Sequence, residues 1–245
     1  MTENTVSNPA LDKAFAALST YDHGSSRGPL MALDEAVGAA TADAKARQDL
    51  EGRLLAVLQS KASPIAKEYV CRKLAMIGSA RSVPALAALL ADKQLAHLAC
   101  QALEAIPGTE AVQALRGSVP KLGGLAKVGV IQSLGMRRDA GSVPALTALL
   151  TDADAQIARA AAVALGEIGT LPAAQALQKF LPAAPEPAKG AVLDSLLAGA
   201  EALAAEGKKS DALAIYKTLA AADVPKHVKL AATRGMLLGA QMRNP

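Results

Sequence analysis

Histidine and cysteine, which often carry acid–base, nucleophilic or metal chemistry, are few in this sequence. The chain has three histidines, His23, His97 and His227, and two cysteines, Cys71 and Cys100. The histidines fall in three separate segments, and no Cys-x-x-Cys, His-Glu-x-x-His, phosphate-loop or dinucleotide-binding glycine motif occurs. We therefore predict no catalytic residue, no metal and no cofactor, and we expect the protein not to be an enzyme.

His97 and Cys100 could offer two metal ligands from one predicted helix, but a zinc site needs three or four. Cys71 and Cys100 hold equivalent places in neighbouring repeats. Packed helices lie about 8–10 Å apart, which is usually too far for a disulfide. We predict that both cysteines are small buried residues.

A repeat of about thirty residues organises the chain. Five leucines, spaced by 29 and then by 31 residues, close successive units: Leu74, Leu103, Leu134, Leu165 and Leu196. Ser82–Leu86 reads Ser-Val-Pro-Ala-Leu and recurs at Ser142–Leu146, where serine can cap a helix and proline fits its first turn. Each unit is predicted as helix, turn, helix. Turns within the units are predicted at Asp92 and Asp152. Helices are predicted to end with a glycine in the left-handed backbone conformation at the joints between units, at Gly78, Gly108, Gly141 and Gly169.

Composition agrees with an all-α fold. Hydrophobic residues make up 51% of the chain and aromatic residues 2%, so the core must consist largely of alanine, leucine and valine, which suits closely packed helices. We predict about seven helical hairpins in a single domain over residues 1–245. Residues 9–79 form divergent repeats, 82–171 regular repeats, and 172–241 the C-terminal repeats and cap.

The segment from Ile157 to Gly169 reads Ile-Ala-Arg-Ala-Ala-Ala-Val-Ala-Leu-Gly-Glu-Ile-Gly. It resembles the second helix of a HEAT repeat of the short bacterial type, similar to the repeats of phycobilin lyases. The resemblance is strongest over residues 142–171 and good over 82–141. It implies a right-handed α-α superhelix. In the C-terminal part, Ala212, Leu213, Tyr216 and Leu219 resemble a tetratricopeptide helix.

Some HEAT-like proteins are enzymes, and the resemblance requires a comparison with each. Deoxyhypusine hydroxylases rely on His-Glu pairs, which this sequence lacks. HEAT-like DNA glycosylases use tryptophan, which is also absent. A role like that of phycobilin lyases, or another small-molecule role, stays open as an alternative, although no pigment-binding residues are identified.

The resemblance also implies that second helices line a concave face. Counting two and six residues back from each closing leucine gives a mixed polar stripe, and its predicted partner-binding residues are Arg72, His97, Gln101, Gln132, Arg159 and Asp194. The competing interpretation is that these are ordinary solvated helix faces. A second candidate is the loop between the first two predicted helices, with Tyr21, Asp22, His23 and Arg27, which ordinary turn chemistry also explains.

The preferred function is a non-enzymatic scaffold for a protein or peptide. The alternative partner is a nucleic acid, since the net charge is +4, but 26 basic residues nearly balance 22 acidic ones. No apolar run is long enough for a membrane span. No secretory leader is visible, so we expect a cytoplasmic protein, with a trimmed leader as the alternative.

Overall fold

A computed structural model describes residues 8–241 and places fourteen α-helices and no strand in that range. The predicted all-α helical repeat fold is confirmed, and fourteen helices match the expected seven hairpins. The chain divides into two compact units, one ending at Ser118 and the other beginning at Val119. The grouping of all repeats into one domain stays a prediction.

The first unit arranges its helices in two layers. Its helices are α1 (Pro9–Ser19), α2 (Met31–Ala40), α3 (Ala44–Leu58), α4 (Pro64–Ile77), α5 (Val83–Ala88), α6 (Ala96–Ala105) and α7 (Thr109–Ser118). The second helix of one pair packs on the second helix of the next, as α4 does on α2 and α6. First helices do the same, since α5 packs on α7 and α1 on α3.

The second unit repeats this pattern and ends in a longer helical cap. Its helices are α8 (Gly124–Met136), α9 (Val143–Leu149), α10 (Ala155–Ile168), α11 (Leu171–Phe180), α12 (Glu186–Ala205), α13 (Lys209–Ala221) and α14 (Lys226–Gln241). The second helices α8, α10 and α12 stack side by side, while α9 packs on α11. Helix α13 packs between α12 and α14.

The closing leucines form the centre of this packing. All five of them, from Leu74 to Leu196, are at most 1% exposed. Burial of one leucine side chain stabilises the folded state by about 1.5–3 kcal/mol. Cys71 and Cys100 are buried and unbridged, as predicted. Burial raises the pKa of the Cys71 thiol to about 12, so this group stays a neutral core residue.

Helix starts follow the sequence signals only in part. Asp43 accepts hydrogen bonds from the N–H groups of Lys45 and Ala46, so α3 begins at Ala44, earlier than the apolar pattern from Leu50 predicts. Asp92 accepts from the amides that precede α6. For α10 the cap is Asp154, not Asp152.

Two of the four predicted left-handed exits are wrong. Gly108 and Gly169 have φ values of 98° and 65°, as expected. Gly78 instead has φ −64°, and a Cβ there would meet the Leu74 carbonyl and the Ile106 side chain. Gly141 lies in a short 3-10 turn, and the left-handed residue at that joint is Arg138, with φ 50°.

A close approach between second helices requires glycine at position 166. A Cβ at Gly166 on α10 would lie 2.8 Å from the Cα, Cβ and carbonyl oxygen of Ser195 on α12. One repeat earlier, a Cβ at Gly135 on α8 would lie 2.9 Å from the Cα of Ala164 on α10. Real Cβ atoms do not approach backbone so closely, so the Leu-Gly pair lets neighbouring second helices touch backbone to backbone.

A buried carboxylate joins two repeats in the first unit. Glu51 on α3 is 2% exposed, and its oxygens accept hydrogen bonds from the Ser79 N–H at 2.7 Å and the Ser79 hydroxyl at 2.9 Å. The Ser82 hydroxyl donates to the same carboxylate at 2.5 Å. Ser82 therefore does not cap α5 with its side chain, contrary to the sequence interpretation. In the second unit, the Ser142 hydroxyl donates to Asp139.

We predict that Gly166→Ala destabilises the protein by about 1–3 kcal/mol, because α10 and α12 must move apart to admit the methyl group. Gly190→Ala is the matched control, since a Cβ on that α12 glycine meets nothing within 4 Å and alanine favours the helix. Urea unfolding followed by circular dichroism measures both midpoints. Equal midpoints for the two variants would contradict this packing.

We predict that Glu51→Ala lowers the free energy of unfolding by about 2–4 kcal/mol, because it leaves one amide and two hydroxyls without their buried acceptor. Glu35→Ala, which removes an exposed glutamate on α2, should change it by less than about 0.5 kcal/mol. The same urea titration measures both. A Glu51→Ala effect as small as the control's would show that Glu51 does not hold the joint.

Candidate functional site

All six residues of the predicted stripe are exposed and lie on second helices. In the first unit, Arg72 is on α4, and His97 and Gln101 are one turn apart on α6. In the second unit, the stripe residues are Gln132 on α8, Arg159 on α10 and Asp194 on α12. Their role in binding stays a prediction.

Helix α8 adds apolar side chains that the sequence interpretation missed. Leu125 is 77% exposed and Met136 is 64% exposed, although most large apolar residues of this unit are buried. Met136 follows Gln132 by four residues, so the two side chains share one helix face. Met136 lies two residues after the closing Leu134, so the count, which went only backward from each closing leucine, missed it.

The loop candidates separate into two pairs. Asp22 and His23 are exposed, and the Asp22 carboxylate accepts from the His23 N–H, which is ordinary turn chemistry. Tyr21 and Arg27 instead line a pocket of about 210 Å³. The Ser63 hydroxyl donates to the Tyr21 carbonyl at 2.5 Å and so attaches this loop to the start of α4.

The same pocket brings the loop together with the stripe residue Arg72. Its other lining residues come from α4 and are Ile65, Glu68, Tyr69 and Lys73. Arg72 lies 3.6 Å from Glu68, one turn earlier, in an exposed pair. His97 and Gln101 do not line this pocket. Arg72, Tyr21 and Arg27 are thus the predicted residues that the structure brings together.

Asp34 on α2, which the sequence interpretation did not select, organises the pocket. One carboxylate oxygen lies 2.6 Å from the Lys73 ammonium and accepts from the Tyr69 hydroxyl at 2.7 Å. The other accepts from Arg27 at 3.2 Å. No motif marks Asp34, because one donor comes from 7 positions earlier and the other two from 35 and 39 positions later.

Charge at Asp34 and Tyr69 is fixed by this network. Burial acts to raise the pKa of Asp34, but the hydrogen bonds from Lys73 and Tyr69 outweigh it and hold the pKa below its ordinary value. Burial, and then the Asp34 carboxylate, raise the pKa of the Tyr69 hydroxyl. Tyr69 therefore stays a neutral hydrogen-bond donor and Asp34 stays ionised.

Two further cavities lie elsewhere in the described residues. One of about 490 Å³ lies among α12, α13 and α14, with Tyr216 and Gly235 in its wall. The other, of about 740 Å³, lies among α1, α2 and α3. Within residues 8–241, no three His, Cys, Asp or Glu side chains form a group that could hold a metal ion. Among the helices of these residues, none has both the length and the hydrophobicity that a membrane span requires.

A comparison with protein families identifies a repeat segment within the second unit. The family model for HEAT repeats matches residues 125–197, from α8 to the middle of α12. This segment belongs to the HEAT repeat family. The HEAT segment contains Gln132, Arg159 and Asp194, so these three candidates lie on HEAT helices. The tetratricopeptide resemblance of α13 stays a prediction.

Two solved structures align with most of this chain at low similarity. The complex of CpcE and CpcF of phycocyanin lyase from Nostoc sp. PCC7120 has 22% identity and a TM-score of 0.43, covering 99% of this chain and 97% of that one. Human deoxyhypusine hydroxylase in complex with glycerol has 16% identity and a TM-score of 0.37, covering 95% of each. Values this low say nothing about activity or partner. No curated protein matches the sequence.

We predict that Asp34→Asn destabilises the protein by about 1–2 kcal/mol at neutral pH, because three donors lose a charged acceptor. Since the folded-state pKa of Asp34 is lowered, its contribution is present above the ordinary value of 3.8 and disappears as pH falls through the lower folded value. Urea midpoints of the two proteins should therefore converge in strong acid. Asp22→Asn, at an exposed turn, is the control, and an equal loss there would contradict the network.

Proposed function

We propose that this protein is a non-enzymatic scaffold that binds a protein or peptide on the exposed side of its second helices. One observation carries the proposal. Leu125 and Met136 are mostly exposed on the same α8 that presents Gln132, while the closing Leu134 beside them is buried. Exposed large apolar groups within a polar surface are typical of an interaction site.

The energetics favour a polypeptide partner. Covering the side chains of Leu125 and Met136 would contribute about 1.5–3 kcal/mol each if both were fully buried. Arg159 on α10 and Asp194 on α12, both exposed, add charges of opposite sign to this HEAT surface. Such a mixture of apolar, cationic and anionic groups resembles the anatomy of protein interfaces.

The same mixture argues against a nucleic acid as the partner. Phosphate-backbone binding depends on clustered cations, whereas this line of helices carries Asp194 and two exposed apolar side chains. Single-strand binding also needs stacking aromatics, and the described part of α8, α10 and α12 carries none.

Site-specific photo-crosslinking tests the proposal. A photoreactive residue at Gln132 should capture a discrete partner from native cells. The same residue at Gln175, an exposed glutamine on the first helix α11, should capture none. The pair Gln101 on α6 and Gln113 on α7 provides the equivalent comparison in the first unit.

A second variant then tests the chemistry of the site. Met136→Ser together with Arg159→Glu should reduce the Gln132 crosslink by about tenfold or more, because it removes apolar contact and reverses one charge. Circular dichroism should remain unchanged, since both side chains are exposed. Equal crosslinking at Gln132 and Gln175, or an undiminished crosslink in the double variant, would refute the proposed surface.

A further inference from the structure

The 210 Å³ pocket of the first unit has two different kinds of cation. The Lys73 side chain is only 12% exposed and is held against Asp34. The Arg27 and Arg72 side chains are 68% and 65% exposed. Each contributes one nitrogen to an ion pair, Arg27 with Asp34 and Arg72 with Glu68. Because a guanidinium has five donors in a planar fork, most of the donors on these two residues still face solvent.

We propose that this pocket binds a carboxylate of the partner polypeptide, clamped between Arg27 and Arg72. The identity of the ligand rests on the proposed function, which supplies a polypeptide as the partner. Arginine guanidinium groups recognise carboxylates through paired, charge-assisted hydrogen bonds, and two of them at one pocket provide the donors for both oxygens.

The charge of the pocket favours a monovalent anion. Arg27, Arg72 and Lys73 contribute three positive charges, while Asp34 and Glu68 contribute two negative ones. The formal sum is one positive charge, which one carboxylate neutralises. A phosphate dianion would exceed that charge and leave the pocket with a net negative charge.

Asp34 prepares the pocket before any ligand arrives. It accepts a hydrogen bond from Arg27 at 3.2 Å and holds the mostly buried Lys73 and Tyr69, so the side chains of Lys73 and Tyr69 are ordered before a ligand binds. Preorganised donors bind more tightly because less entropy is lost on binding. The Lys73 ammonium also lies 5.0 Å from the centre of the Tyr69 ring, which further fixes its position.

Glu68 acts as an internal competitor for the site. Its carboxylate lies 3.6 Å from an Arg72 nitrogen, which is longer than a charge-assisted hydrogen bond. An incoming carboxylate that made a shorter contact with Arg72 would displace this weak exposed pair at little cost. Removal of the Glu68 charge should therefore strengthen anion binding, a sign that mere structural disturbance would not produce.

NMR titration of the isotope-labelled full chain tests the inference with small probes. N-acetylglutamate methylamide presents an acidic side chain, N-acetylalanine presents a chain-terminal carboxylate, and N-acetylglutamine methylamide is the neutral analogue. At least one of the two acids should cause saturable chemical-shift changes at Tyr21, Arg27 and Arg72. The acid that binds more tightly shows whether the ligand carboxylate comes from a side chain or from a chain terminus. The neutral analogue should cause none.

Variants give the expected directions. Arg27→Gln and Arg72→Gln should each weaken binding of the better acid by about fivefold or more, whereas Glu68→Gln should strengthen it about twofold. Arg47→Gln, at an exposed arginine on α3 outside the pocket, is the matched control and should change nothing. Saturable shifts with inorganic phosphate but with neither acid would overturn the inference. So would absence of binding by both acids, or an unchanged affinity in Arg72→Gln.

These outcomes remain separate from those of the proposed function. If both acids fail to bind while Gln132 crosslinks a partner, the pocket inference is wrong and the scaffold function stands. If an acid binds in the pocket but no second-helix position crosslinks a partner, the scaffold proposal is wrong, although the pocket recognises carboxylates.

Discussion

The second unit depends on backbone-to-backbone contact between neighbouring second helices. A repeat array has no central core, so each helix pair buries its apolar face against the next pair. At Gly166, on α10, the fit against Ser195 leaves no room for even a methyl group. This explains why a chain with 51% hydrophobic residues needs only 2% aromatic ones. Small side chains fill the narrow space that large ones would force open.

The packing of the second helices also determines which of their residues form the exposed polar stripe. Each second helix packs on neighbouring second helices within its layer and on the first helices of the other layer. Only one line of its residues is therefore left to face solvent. The stripe residues lie on those lines in each unit, with Arg72 on α4 and Gln132 on α8. In the second unit, where backbone contacts hold α8, α10 and α12 together, these side chains project from a closely packed base. Rigid placement is what a binding surface needs, since ordering it on binding costs little entropy.

Sequence periodicity predicted the parts of the structure that repeat. The closing leucines and the HEAT resemblance located the second helices, and the exposure of Arg159 and Asp194 followed from the same count. Features that depend on contacts found in only one repeat, between residues far apart in sequence, were not predictable. Asp34 gains its role from Tyr69 and Lys73, far along the chain, and no local pattern records that meeting. The prediction for Gly78 was wrong for a related reason. A close approach to the Ile106 side chain, not a left-handed turn, requires that glycine.

The two copies of Ser-Val-Pro-Ala-Leu look interchangeable but are built differently. Ser82 donates to a carboxylate 31 positions earlier, on a helix of the preceding pair, whereas Ser142 donates to an aspartate three positions earlier. The first joint therefore takes its acceptor from a neighbour, and the second carries its own. A module cut just before Asp139 would keep this bond when moved elsewhere, while one cut just before Ser79 would leave the Glu51 acceptor behind. Recombination that shuffles or extends this array should therefore preserve the bond at the Asp139 joint and break it at the Ser79 joint.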